Sequence, residues 1–203
     1  MIDLHNLEAS NLARWNVCHV LPEWIPILDK VSSRLVGAKA RYQAVEDKTN
    51  VPWAVIAVIH QRESSQSWAA SLAQGDRWDR ESIHEPRGRG PFPSWEAAAI
   101  DALKICPPYA AAWQNWTIGG ALTLIEQYNG LGYAGGPFDY ATGHRYPPQA
   151  SPYIWSGTDQ YHAGKYVSDG HFDPDAVDRQ TGCAALLQRM ARLDPIIAEG
   201  WHA

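Results

Sequence analysis

The stretch that decides the reading of this chain is Asn50-Val51-Pro52-Trp53-Ala54-Val55-Ile56-Ala57-Val58-Ile59-His60-Gln61-Arg62-Glu63-Ser64-Ser65-Gln66-Ser67-Trp68. It reads as a buried helix that ends in a charged, polar knot. Thr49 or Asn50 can cap it by accepting a free backbone N–H, and Pro52 suits the first turn, where it has no hydrogen bond to lose. Val55, Ile56, Ile59 and Glu63 recur at helical spacing, so one carboxylate continues an otherwise apolar face. Burial there disfavours its ionised form, and so does the negative end of the helix dipole. Both effects raise the pKa, which is what a general acid working near neutral pH requires. The alternative is that Glu63 pairs with Arg62, His60 or Gln66 and only closes the helix.

Working outward, Trp24, Ile27, Leu28, Val31, Leu35, Ala38 and Tyr42 follow one face at helical spacing. Lys30, Arg34, Lys39 and Arg41 lie mostly off it. This predicts one amphipathic helix packed against the main domain, the alternative being a mobile targeting arm. Residues 1–20 carry little signal. Residues 1–48 are therefore an expected N-terminal helical extension and 49–203 the main domain.

Downstream, residues 69–93 form a long polar loop with Gly75, Asp76, Arg77, Glu81, His84, Glu85 and Gly88-Arg89-Gly90, in which one short hairpin is expected. Ordered loops of that length are often functional. Ser94 caps a helix over 95–104 that Pro107 and Pro108 stop. Thr117 caps another running to Tyr128, which Asn129-Gly130 ends with a left-handed turn. Gly, Pro and aromatic residues without a period fill 131–170, an expected irregular wall for a cleft. Asp173-Pro174 predicts the cap of a last helix through Ala184, Leu187 and Met190, ended by Pro195. The fold class is mainly α, or α+β with a minor hairpin.

At 203 residues, with 45% hydrophobic and 19% charged, the chain has the composition of a soluble globular domain with one sizeable core. The 10 Trp and 9 Tyr are the unusual count; many stand in Gly- and Pro-rich stretches, where such rings line carbohydrate or peptide surfaces or simply fill a loop-rich core. A net charge of −5 without a basic stripe argues against nucleic-acid binding. No apolar run reaches the length of a membrane span. The N-terminus has no basic region followed by an apolar one, so no secretory signal is expected. Cys18, Cys106 and Cys183, odd in number and scattered, suit reduced thiols in a protein made in the cytoplasm, and Cys183 reads as core.

Thirteen residues after Glu63 comes Asp76, in Gly75-Asp76-Arg77, and far downstream Tyr128-Asn129-Gly130 stands at a helix end. Glycoside cleavage uses one protonated carboxyl for the leaving oxygen and usually a second, ionised carboxylate. A buried helical Glu and a loop Asp are environments that push two pKa values apart in that sense. Asp76 as a turn residue and Asn129-Gly130 as a helix stop are the structural alternatives.

With these residues the chain resembles the lysozyme superfamily, in particular the goose-type lysozymes and soluble lytic transglycosylases. Arg62-Glu63-Ser64 matches the catalytic Glu-Ser at the end of a buried helix. Gly75-Asp76-Arg77 matches the Gly-Asp-Arg that follows at the same spacing in goose-type lysozymes. Tyr128-Asn129-Gly130 resembles the Tyr-Asn pair at the cleft. The match covers three short islands between residues 55 and 130. The Gly-Leu-Met-Gln segment that follows the Asp in those families is absent here, with Gly90-Pro91-Phe92 near its place. Glu126 replaces a small residue two before the Tyr, and is either a further acid in the cleft or a surface group.

The resemblance implies a lysozyme-like fold and a muramidase that cleaves the β-1,4 bond between N-acetylmuramic acid and N-acetylglucosamine in peptidoglycan. Glu63 is the expected general acid. Asp76, or Asp79 or Glu81 near it, would position water, and Ser64, Tyr128, Asn129, Tyr133, Glu126 and Trp155 would contact the glycan. If no second carboxylate reaches the bond, the muramic 6-hydroxyl attacks and an anhydro sugar results, as in lytic transglycosylases. Chitin has the same bond type. Without a secretory signal, a phage or prophage endolysin released by lysis fits, acting as a monomer and without a cofactor. His60 lacks a second zinc-ligand histidine at helical spacing, and the segment 169–175 lacks calcium-loop alternation, so no metal is expected. A non-catalytic glycan-binding scaffold, and a metal-dependent cell-wall endopeptidase or amidase, are the competing classes.

Overall fold

A computed structural model of the chain describes residues 2–73, 75–84 and 86–199; Glu85 of the polar loop and the terminal residues 200–203 lie outside them. Among the described residues the regular structure is nine α-helices and two short antiparallel hairpins, so the chain is mainly α.

The first residues, which carry little sequence signal, form α1 (Leu4–Val17), capped by Asp3, whose carboxylate accepts from the His5 amide at 3.0 Å. The single amphipathic helix expected over 24–42 is two helices. α2 (Ile25–Gly37) and α3 (Lys39–Thr49) meet at Ala38, whose backbone (φ −97°, ψ 8°) has left the helical region. Gly37 is a weak helix former, and the break lets the two halves cover different neighbours. Leu28, Val31 and Leu35 are buried on α2, and Tyr42 and Val45 on α3, in one core with the rest of the chain.

The decisive stretch is α4 (Trp53–Ser64). Its expected cap is corrected. Asn50 instead closes α3 in a left-handed conformation (φ 57°), Pro52 stands at the N-terminus of α4 without a side-chain cap, and the Thr49 hydroxyl donates back to the Val45 carbonyl at 2.8 Å. Every residue from Trp53 to His60 is buried. The cause is tertiary, since α3, α6 (Ile118–Asn129) and α8 (Cys183–Leu193) surround α4.

α5 (Trp95–Ile105) begins where expected, with the Ser94 hydroxyl accepting from the Ala97 amide at 3.2 Å. α6 likewise begins at Thr117, which accepts from Gly120. Its end at Gly130 has a positive φ of 93° but an extended ψ of 147°, not the left-handed turn expected. A Cβ on Gly119 would lie 3.1 Å from Glu8 and 3.2 Å from Leu12, so a glycine lets α1 approach α6 closely.

The hairpins lie elsewhere than expected. Among the described residues of 69–93 the β-pairing is an isolated bridge between Ala70 and Arg77. The supposedly irregular 131–170 stretch contains β1 (Phe138–Asp139) paired with β2 (His144–Arg145), and α7 (Pro152–Trp155). It also begins the second hairpin, where β3 (Lys165–Ser168) pairs with β4 (His171–Asp173). Asp173 does not cap a helix: its carboxylate closes a local turn onto the Asp175 and Ala176 amides, and α8 starts only at Cys183. α9 (Ile196–Glu199) follows Pro195. Cys18, Cys106 and Cys183 are free and buried. Among the described residues no helix is long and apolar enough to cross a membrane.

Candidate active site

The end of α4 is tied by a relay of hydrogen bonds. Ser65 (φ 54°) and Gln66 (φ 61°) both take left-handed backbone conformations, which turn the chain back on the helix. Gln66 Nε2 donates to the Tyr42 hydroxyl at 3.3 Å, and that hydroxyl lies 3.0 Å from His60 Nδ1. His60 Nε2 lies 3.0 Å from the Ser67 carbonyl. A carbonyl can only accept, so Nε2 carries the proton and Nδ1 accepts from Tyr42. Burial pushes the His60 pKa down to about 4, which keeps it neutral. The Ser64 hydroxyl donates to the His60 carbonyl at 3.2 Å.

His60 and Gln66 are thus engaged with other groups. Arg62 turns away to Asp178, Nη1 to Oδ2 at 2.9 Å. Glu63 is left to a residue ninety positions on: the Tyr153 hydroxyl donates to its Oε1 at 2.7 Å. Burial holds the Glu63 pKa above the ordinary carboxylate range, against the Tyr153 hydrogen bond and the Arg62 charge, which pull it down. Tyr128 shares this environment: its hydroxyl donates to the Leu72 carbonyl at 3.1 Å. Burial, then the Glu63 charge, raises the pKa of both Tyr128 and Tyr153, so both phenols remain protonated.

Tyr153 also borders a cavity of about 460 Å³, whose wall includes Arg62, Asn129, Tyr133, Tyr166 and Asp178. Tyr133 is positioned by its hydroxyl, which accepts from the Tyr166 amide at 3.1 Å. The carboxylate of Asp178 is buried and carries two cations, Arg62 at 2.9 Å and Lys165 at 3.1 Å. Burial works to raise its pKa, and the charge of Arg62, with Lys165, more than offsets this, so Asp178 stays ionised. Arg62 stacks over the Tyr153 ring at 4.7 Å. Glu63 itself is not among the residues that wall this cavity; it is joined to the cavity through Tyr153, and a carboxyl biased towards its neutral form is a group able to donate a proton.

The other sequence-derived residues are distributed as follows. The Gly75-Asp76 turn abuts the end of α4, since a Cβ on Gly75 would lie 3.7 Å from the Glu63 carbonyl oxygen. Asp76 Oδ2 accepts from the Ile83 and His84 amides at 2.9 and 3.0 Å, and Oδ1 lies 2.7 Å from His84 Nδ1. The His84 amide, with these partners, holds the Asp76 pKa below the usual range. Asp79 pairs with Arg77, and Glu81 is exposed. Asn129 closes α6 on the wall of the 460 Å³ cavity.

Two residues fall elsewhere. Glu126 is neither a surface group nor a neighbour of that cavity; it is 2% exposed, accepts from Asn11 of α1 at 3.1 Å, and borders a separate cavity of about 320 Å³. Trp155 is fully buried in the core and offers the cavity beside Tyr153 no ring. The bond of the neighbouring Tyr153 to Glu63, and the grouping of Arg62 with Lys165 on Asp178, are what sequence reasoning missed. Nothing in Pro152-Tyr153-Ile154-Trp155 tells which ring turns to Glu63. Among the described residues no three His, Cys, Asp or Glu side chains are grouped to hold a metal ion. Comparison with protein-family models, curated proteins and solved structures gives no match.

Proposed function

We propose that this chain is a peptidoglycan-cleaving muramidase on a lysozyme-like scaffold, with Glu63 as its general acid. The observation that carries the reading is the Glu63 carboxyl, its pKa raised by burial at the end of α4 and bonded at 2.7 Å by Tyr153, whose ring borders a cavity large enough for sugar rings. In this mechanism Glu63 gives its proton to the glycosidic oxygen as the bond to the anomeric carbon breaks. The Tyr153 hydroxyl stays on the new carboxylate, a stronger hydrogen bond than the one it made to the neutral acid. Asn129 and Tyr133 contact the sugar. Asp76, kept ionised in the turn against α4, accepts a proton from the attacking water, whose oxygen bonds to the anomeric carbon.

One observation favours intramolecular attack by the muramic 6-hydroxyl as a second route. Both Asp76 oxygens are already engaged by His84 and Ile83, and Asp178 is held by two cations. Neither offers water an unoccupied carboxylate oxygen as readily as an open base does, and the product of the second route is an anhydro sugar.

The test is Glu63→Gln against wild type on purified peptidoglycan, with soluble products identified by mass spectrometry. The change preserves size and removes the titratable proton. A loss of about 10²–10⁴-fold in turnover is expected from a folded variant. Reducing-end products from wild type identify hydrolysis, and anhydro products identify transglycosylation. Equal activity in both proteins sinks the acid assignment. Binding without product from either protein favours a non-catalytic glycan-binding scaffold.

A further inference from the structure

α1 stands on the body of the chain with a polar side inward. Its one buried residue is Asn11, while Leu12 and Val17 are 40% and 58% exposed. A surface helix ordinarily buries its apolar stripe. Asn11 and Arg14, one turn apart, instead line the cavity of about 320 Å³ that α1 shares with Glu126 of α6 and residues 148–151. That volume lies in the range of small-molecule sites.

Glu126 and Asn11 are each 2% exposed, and Asn11 Nδ2 donates to Glu126 Oε2 at 3.1 Å and to the Thr123 hydroxyl at 3.4 Å. Their other oxygens, Glu126 Oε1 and Asn11 Oδ1, have no hydrogen bond among the described residues. Neither is sealed from solvent, and the surface left on these two lining residues opens into the cavity. Burial holds the Glu126 pKa above the ordinary range, against the Asn11 bond and the Arg14 charge. Arg14 is half-buried, and its guanidinium has neither a carboxylate at ion-pair distance nor a hydrogen bond among the described residues. Asp3, the other charged residue of the lining, is taken up by the His5 amide at 3.0 Å and the Asn6 side chain at 2.8 Å.

The chemistry of the lining restricts what fits. Two open acceptors on touching side chains call for a group rich in N–H, and a carboxyl held out of water favours one whose positive charge offsets the cost of ionising it. Arg14 only donates, so one turn along α1 the same ligand presents an anion. Leu7, Pro148 and Ala150 add apolar surface. An uncharged sugar answers neither charge, and a simple amine leaves Arg14 unmet.

We propose that this cavity is a site for a free α-amino acid with a small apolar side chain, its ammonium on Glu126 Oε1 and Asn11 Oδ1 and its carboxylate on Arg14. The ligand bridges α1 to α6 and completes a helix contact that is otherwise polar and half-empty. The site is separate from the cavity beside Tyr153, and its test does not depend on what that cavity cleaves.

The test is an NMR titration of the isotope-labelled full chain with alanine, valine and leucine. Each is compared with its N-acetyl form, which lacks the ammonium, and its amide, which lacks the carboxylate. At least one of the three should shift the amides of α1 and α6 saturably, and its two blocked forms should bind about tenfold or more weakly, the worth of one charge-assisted hydrogen bond. Glu126→Gln, which keeps the size and loses the charge, should weaken binding by a similar factor, and so should Arg14→Gln. The second variant changes only a half-exposed side chain, so it decides the matter if circular dichroism shows Glu126→Gln unfolded. No saturable shift with any of the three amino acids overturns the proposal. So does equal binding of the blocked forms, or undiminished binding in a folded variant.

Discussion

Replacing Tyr153 by Phe removes one hydroxyl and leaves the buried ring in place. That hydroxyl donates to Glu63 Oε1 at 2.7 Å. If Glu63 is the acid, it is neutral before proton transfer and a carboxylate after it. A hydrogen bond to a neutral group contributes about 0.5–1.5 kcal/mol, and one to a charged group about 1.5–3 kcal/mol. The bond therefore strengthens by about 1–2 kcal/mol as the proton leaves, and its loss should lower kcat by about 5- to 30-fold.

The pH profile gives a second, independent readout. The acid works only when protonated, so the rate falls as pH rises through the Glu63 pKa. Tyr153 pulls that pKa down against burial, so its removal lets burial raise it further. The variant should be slower at its optimum, yet its alkaline limb should move to higher pH. The assay is kcat against pH on soluble peptidoglycan fragments, with urea denaturation to confirm folding. A folded variant with wild-type kcat, or with the alkaline limb displaced to lower pH, refutes the reasoning.

Three further outcomes follow from the same geometry. His60 is held neutral with a pKa lowered from 6.5 to about 4, so as pH falls through that window the unfolded chain takes up a proton that the fold refuses; about 3 kcal/mol of stability should disappear between those values, and a His60→Gln variant should lack that acid slope in denaturation curves. Asp178→Ala leaves the buried Arg62 guanidinium without its carboxylate and should cost about 3–5 kcal/mol in urea unfolding, whereas Asp178→Asn should cost less because it still accepts a hydrogen bond. A Cβ on Gly182 would lie 2.5 Å from the Ser156 carbonyl oxygen and 2.6 Å from that of Ile154; Gly182→Ala should cost about 1–3 kcal/mol by chemical denaturation and also reduce turnover, because the backbone it pushes is the one that carries Tyr153.

What the sequence by itself determined is local. Ser94 and Thr117 announce α5 and α6 because a cap is a contact between a side chain and an amide three residues on. The apolar run from Val55 to Ile59 announces α4, and the mainly helical class follows from these elements. Glu63 was legible as a carboxylate on an apolar face near a helix end, for the same reason. What failed at this level were features where neighbours compete: Asn50 ends the helix before α4 instead of capping α4, and the face shared by 24–42 is broken at Ala38 because its halves meet different partners. The tertiary structure alone decided the partners of the candidate site. Tyr153 reaches Glu63 across ninety residues, Asp178 reaches Arg62 across 116, and Glu126 is drawn to Asn11 of α1 beside a separate cavity. No periodicity encodes such pairs, because each forms only when packing places two separate segments within hydrogen-bond distance.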